Sequence, residues 1–254
     1  MMTSDLLLSQ IRGGRLRIGI GTAEDDRKVR LSCDQAEPLG LGEVVIYHDA
    51  QQLAEDLRDG KLDAAVRGDM DSNEAMAALR QVFGVKRVLR AAFLEPPQGT
   101  MFLLAPVGID EGWTTEEKFE MAWRGAEILR RLGVTPVVGI MSGGRSSDMG
   151  RMAAVDRTLE DAAVVVKRLR EVGIDARDVQ ILIESAVREC DVIIAPDGIS
   201  GNLIFRTLHF LGGGKALGAP VLNIPRTYID TSRAKESYVD SIVLAAALSK
   251  DGMR

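Results

Sequence analysis

Short apolar runs alternate with stretches of helical periodicity along almost the whole chain, and this alternation constrains the fold more than any other feature of the sequence. Strand-like runs are read at Leu16–Ile20, Val44–Tyr47, Leu62–Val66, Pro136–Met141, Val179–Ile183, Asp191–Ala195 and Pro220–Ile224. Helical patterns are read at Ala50–Arg58, Asn73–Phe83, Thr114–Leu132, Asp156–Val172, Leu203–Leu211 and Tyr238–Ser249. Thr114 with Glu117 forms a capping box, and Gly133 and Gly173 are read as helix stops. Two further strands, Val85–Leu94 and Thr100–Pro106, flank the turn Pro96-Pro97-Gln98-Gly99 and read as an antiparallel pair. Strands alternating with helices of this length predict a mainly parallel sheet covered on both faces. The apolar pattern is interrupted at residues 107–112 and again at Gly212-Gly213-Gly214. The expected division is a discontinuous first domain, 1–106 with 218–254, and a second domain, 107–217. The triple glycine reads equally as a hinge or as a helix cap.

The chain has 254 residues, 46% apolar and 27% charged, enough to bury a core. Its net charge of -5 and 4% aromatic content give no support for nucleic-acid or anionic-membrane binding. Cys33 and Cys190 are isolated from one another, as are His48 and His209, so no metal site is expected. No apolar run reaches 18 residues, and the start lacks signal-peptide order, so a cytoplasmic protein is the expectation. Gly19-Ile20-Gly21 lacks the third glycine of a dinucleotide fingerprint and runs into Glu24, Asp25 and Asp26. Asp69, Asp71 and Asn73 have the first spacings of a calcium loop, but Glu74 and Arg80 stand where Gly and Glu are needed.

Four segments at strand ends or helix starts carry candidate site residues. In Pro196-Asp197-Gly198-Ile199-Ser200-Gly201-Asn202 the chain leaves a strand, turns on glycines and enters a helix, whose first N–H groups and positive dipole end suit an anion. Ordinary turn chemistry needs the same residues, and both readings stay open. Ser142-Gly143-Gly144-Arg145-Ser146-Ser147 combines backbone access, hydroxyls and a forked cation. A flexible linker is its alternative. Arg67-Gly68 ends a strand at the mouth of the sheet, where Arg67 binds a ligand or pairs at the surface with Asp69 or Asp71. Thr231-Ser232-Arg233 precedes the last helix, as a cap or as a second arginine for the same site.

The segment Glu127 to Ser142, the stretch PDGISGNLIFRTLHFLGG (196–213), Gly218 to Leu222, Asp230-Thr231-Ser232-Arg233 and Asp63 to Gly68 resemble, in order, motifs of the phosphate acetyl/butyryltransferase superfamily. GIGTAEDDRKV (19–29) and VRGDMDSN (66–73) carry a closer likeness to the MtxX family of methanogenic archaea, labelled a methyltransferase or a methanogenesis marker. The resemblance implies two α/β lobes of the isocitrate-dehydrogenase-like, phosphate acyltransferase-like kind, with an interdomain cleft, and a homodimer. It implies a transferase-like protein that binds a phosphate- or carboxylate-bearing ligand. Arg233 would clamp the anion, with Arg67 and Arg145 adding positive potential. Gly68, Ser142, Gly143, Asp197, Gly198, Gly201 and Asn202 would orient it, and Asp240 and Ser232 would be the catalytic pair. Coenzyme A enters only through the resemblance, and no other cofactor is identified. The alternative is a non-catalytic accessory or assembly factor partnered with methyltransferase subunits. The chain departs from the superfamily pattern at Arg67, at Ala234 where Gly is usual, in the loop Gly143-Gly144-Arg145, and by one residue before Asp240.

Overall fold

The computed structural model describes residues 7, 11, 16–23, 26–97 and 100–249. Glu24 and Asp25 of the acidic run and Gln98-Gly99 of the expected turn lie outside the described residues. In chain order the elements begin with β1 (Leu16–Gly21), α1 (Arg27–Ala36), β2 (Gly42–Tyr47), α2 (Ala50–Arg58), β3 (Ala64–Val66) and α3 (Ser72–Phe83). Next come β4 (Ala92–Glu95), β5 (Phe102–Ala105), α4 (Thr115–Arg131), β6 (Val137–Met141), α5 (Ala153–Glu171) and β7 (Asp175–Gln180). The chain closes with α6 (Ile183–Glu189), β8 (Val192–Ile194), α7 (Gly198–Arg206), β9 (Lys215–Pro220), β10 (Thr227–Asp230) and α8 (Val239–Leu248).

The chain divides into two compact units, one holding residues 89–216 and the other the segments on either side, up to residue 88 and from residue 217. In the discontinuous unit the strand order is β2–β1–β3–β10–β9. β1 runs parallel to β2 and β3, β10 runs parallel to β3, and β9 pairs antiparallel with β10. In the continuous unit the order is β4–β5–β8–β6–β7. Here β4 and β5 are antiparallel, as their patterns predict, and the other pairings are parallel. β4 and β5, expected with the first domain, thus hydrogen-bond into the sheet of the second unit through β8.

Helix α8 explains much of the first unit's packing. Its residues Ser241 to Leu248 are all buried, so it is apolar on every side and lies within the unit against β1, β3, β10 and α1. On the other side of that sheet Leu53, Leu57, Leu62, Met76, Leu79 and Tyr228 form a continuous core. Side-chain caps set several helix starts: Asp49 accepts from Gln52, Asp71 from Asn73 and Glu74, and Thr114 from Glu117.

Several expectations are corrected. The segment 196–202 is not a loop: α7 starts at Gly198, where Asp197 accepts from the Ser200 amide at 2.8 Å. The helix then widens into a π turn at Thr207–Leu211 and closes on the glycines, with the Gly214 amide donating to Leu208 O. A Cβ on Gly198 would lie 2.0 Å from Gly108 O, and one on Gly201 2.0 Å from Pro106 O. Those glycines let helix and backbone touch, a role that helix propensity counts against a helix. The strand expected at Val179–Ile183 is β7, four residues earlier. Its charged sequence DARDVQ fits an edge strand and hides the pattern. The strand expected at Pro220–Ile224 is β9, which ends at Pro220. α1 and β10 are not foreseen: α1 buries only Val29, Ser32 and Ala36, and β10 is four residues long.

Beside the α7 start, Glu111 is buried and accepts from the Arg90 amide at 2.9 Å and from Arg90 Nε at 2.6 Å. Burial pushes its carboxyl above the usual carboxylate range, and the Arg90 charge pulls it back only in part. Two stability outcomes follow. Gly201→Ala lowers unfolding stability by about 1–3 kcal/mol through overpacking, although helix propensity alone would raise it. Glu111→Ala breaks the buried ion pair with Arg90 and costs about 3–5 kcal/mol. Chemical denaturation of both variants measures these losses.

Candidate functional site

In the discontinuous unit, parallel pairing brings three strand ends level, with Ile20, Val66 and Ile229 as register partners across β1, β3 and β10. The next residues, Gly21, Arg67 and Asp230, therefore emerge side by side at the carboxyl edge of the sheet, where open α/β sheets place their ligands. The approach is close. Gly68 has φ +62, and a Cβ there would lie 1.9 Å from Gly21 O.

Arg67 is 5% exposed and pairs with Asp230, 8% exposed, at 2.5 Å from Nε to Oδ1. Its Nη1 donates to Met70 O at 2.6 Å. The sequence offered Asp69 or Asp71 as surface partners. The observed partner lies 163 residues away and the pair is buried. Asp230 Oδ1 also accepts from the Thr231 amide at 2.8 Å, and Thr231 Oγ1 donates to Gly68 O at 2.6 Å. The β3 and β10 turns are thus laced together.

Arg233 lies beyond this lacing. Its guanidinium pairs with Asp71, its Nε donates to Met70 O at 3.4 Å, and its side chain is 54% exposed. The Glu74 amide, then the Asn73 amide and the Arg233 guanidinium, hold the Asp71 carboxyl below its usual range despite some opposing desolvation. Asp69 accepts from the Ala23 amide at 2.9 Å. Lys28 Nζ donates to Arg233 O at 2.8 Å and sits 5.0 Å from the centroid of the buried Tyr238 ring. Ser232 Oγ accepts from the Ala234 amide at 3.2 Å, which leaves its hydroxyl proton to donate. Asp240 is half-buried in the first turn of α8.

The continuous unit holds the other candidates, on two adjacent strand ends. β6 and β8 are parallel with Ile140 beside Ile194, so Ser142 and Asp197 follow neighbouring strands. Ser142 is buried and donates to Gly144 O at 3.0 Å. The Gly143 amide donates to Thr158 Oγ1 at 2.8 Å. Arg145 is exposed, and its amide donates to Asp148 at 2.8 Å. Asp197 serves as the α7 cap, Gly198 and Gly201 pack on backbone, and Asn202 Nδ2 donates to Val107 O at 2.7 Å. Most of these polar groups therefore face the protein's own backbone.

Thr22, Lys28, Asp71, Tyr238 and Asp230 belong to the strand-end cluster but not to the expected site. Thr22 and Lys28 lie in the GIGTAEDDRKV stretch, Asp71 in VRGDMDSN and Asp230 at the head of the Asp-Thr-Ser-Arg motif, but none of them was read as a site residue, and Tyr238 carried no signal. Among the described residues, no group of His, Cys, Asp and Glu could hold a metal ion, and no helix is long and apolar enough to cross a membrane.

No family model matches the chain. A protein of Methanosarcina mazei named "Putative methyltransferase mtx subunit X" is 43% identical over 260 residues, covering 95% of this chain and 93% of that protein. Its namesake in Methanosarcina acetivorans is 44% identical with the same coverage. Among solved structures, a phosphotransacetylase from Staphylococcus aureus superposes with a TM-score of 0.71 over 96% of this chain and 97% of that one, at 15% identity. That likeness establishes a shared α/β fold. Identity above 40% along nearly the full length establishes more: the chain belongs to the mtx subunit X family.

Proposed function

We propose that this chain is a transferase-like protein that binds a phosphate- or carboxylate-bearing ligand, with Arg233 as the group that grips the anion. The observation that carries the reading is the contrast between the two arginines of the strand-end cluster. Arg67 is buried and committed to Asp230 and Met70, whereas Arg233 is half-exposed and braced by Asp71 and Met70. A braced guanidinium loses little further freedom on binding a planar or tetrahedral oxyanion. Arg67 contributes positive potential from beneath, and Gly68 lets the backbone come close. In the continuous unit, taken by itself, Ser142, Gly143, Arg145 and the α7 start with Asp197, Gly198, Gly201 and Asn202 form a separate candidate anion site.

The name phosphotransacetylase, borne by the fold neighbour, supports the acyl-transfer form of this reading. In that form a thiol such as that of coenzyme A attacks an acyl phosphate, Asp240 takes the thiol proton, and phosphate leaves. Ser232 and Arg233 stabilise the oxygen that gains charge. The name methyltransferase, borne by the relatives, points to methyl transfer instead, and their word "subunit" favours a second reading. Here the chain, as a homodimer, is a non-catalytic accessory to methyl transfer whose anion site serves recognition. Turnover of acetyl phosphate with coenzyme A supports the first form, and copurification with methyltransferase subunits supports the second.

Calorimetric titration with inorganic phosphate and acetyl phosphate tests the shared claim. Arg233→Ala weakens binding about 10- to 100-fold, the worth of hydrogen bonds to a charged group. It changes unfolding stability by no more than about 1 kcal/mol, because its ion pair is exposed. Arg67→Ala destabilises by about 3–5 kcal/mol, by breaking the buried ion pair with Asp230. Unchanged affinity in Arg233→Ala removes that residue from the site.

A further inference from the structure

Helix α7 and the π turn that extends it present their apolar side chains to solvent. Within Gly198–Arg206 only Gly198 and Gly201 are buried. Those two glycines lie against the unit's own backbone at Gly108 and Pro106, so their face of the helix is the inner one. Ile199, Leu203, Arg206 and Phe210 are all exposed, and their spacing places them on one stripe along the outer face. Leu203 is 60% exposed, and Leu211, which ends the π turn, is 84% exposed.

The stripe continues beyond the helix start. Ile109 and Trp113 are exposed as well, and the Trp113 indole N–H donates to Ile109 O at 2.9 Å. A Cβ on Gly198 would lie 2.9 Å from the Ile109 carbonyl carbon, so this turn sits beside the first residues of α7. At the far end the Phe210 ring meets Phe205 edge-on, with centroids 6.5 Å apart, and Arg206 lies 5.2 Å from the Phe210 centroid. A surface helix normally turns its apolar stripe to the core, and α7 does the reverse. Six large apolar side chains at this exposure come to several hundred Å². Monomers leave open at most about 300–600 Å² in one patch, and each partner of a standard interface buries about 800 Å².

Two features select a second copy of this chain as the cover. First, the face is poor in charge. From Gly198 to Gly214 the sequence has no Asp or Glu, and Arg206 is its one Lys or Arg. Homodimer interfaces are apolar and charge-depleted in the same way. Second, the charges at its rim complement themselves. Asp110 is exposed on the turn beside the helix start, and Arg206 lies toward the other end. A two-fold axis near Leu203 runs two such helices antiparallel and brings the Arg206 end of each copy to the Asp110 end of the other.

We infer that the outer face of α7, with its π turn and the turn at Ile109 and Trp113, is the surface through which two copies of this chain pair. The inference is independent of the anion site, and it gives the homodimer of the accessory reading its face.

Sedimentation velocity on the full chain tests it. The wild type sediments as a dimer in the micromolar range. Leu203→Glu puts a charge at the centre of the face in both copies and weakens the dimer about 100-fold or more. Val164→Glu, at an exposed apolar position on α5, leaves the dimer intact. The circular dichroism of Leu203→Glu matches the wild type, because that side chain is mostly in solvent. Ile199→Glu, in the first turn of the same helix, breaks the dimer independently should Leu203→Glu misfold. A monomeric wild type overturns the homodimer and this face together. A dimer that survives substitution at Leu203 and at Ile199 keeps the homodimer and overturns the face.

Discussion

The buried pair of Arg67 and Asp230 is the constraint on which the strand-end cluster depends. Removing two charges from water costs several kcal/mol per ion, and mutual attraction returns that only when geometry is good and the remaining groups are bonded. Here those conditions hold. Arg67 Nη1 has Met70 O, and Asp230 has the Thr231 amide. The pair therefore contributes position more than stability. It locks the ends of β3 and β10, which come from opposite ends of the chain, at one depth and one register. Thr231, bonding Gly68 O, completes the lacing. Slipping β10 by one residue would turn Asp230 to the other face of the sheet and take from the buried Arg67 its carboxylate.

Arg233 follows from that lock. Three residues past Asp230, it has no freedom to choose its neighbourhood, and it arrives against Asp71 and Met70. Met70 O receives both arginines, one from the buried side and one from the exposed side. Asp71 is likewise shared, capping α3 with one oxygen and holding Arg233 with the other. Two residues of the β3–α3 turn thus convert a structural ion pair into a braced cation at the surface.

The general α/β alternation was legible in the sequence because buried parallel strands and amphipathic helices carry strong periodic signals. α2 is read at its observed ends, and α3 and α4 begin or end within a residue of expectation. What escaped was structure whose signal is not periodic. β7 is charged because it is an edge, and β10 is too short to show alternation. α7 begins at Gly198 because its glycines answer a contact with Pro106 and Gly108, which lie about 90 residues earlier. The candidate site divides in the same way. Arg67 and Arg233 were visible as arginines at strand ends, but which is buried depends on Asp230 and Asp71. Tyr238 gave no signal, since a tyrosine before a helix is ordinarily a packing residue.

The position of Tyr238 nevertheless has a physical logic. α8 is apolar on every side, so the residue that leads into it is drawn inward with it. Its ring continues that apolar packing beneath Lys28 Nζ, while its hydroxyl is buried without a hydrogen-bond partner. Tyrosine suits such a boundary because one end of the side chain is apolar and the other polar. Phenylalanine would satisfy the packing equally and would leave no orphan. The tyrosine therefore carries a buried hydroxyl at a cost in free energy that packing alone does not account for.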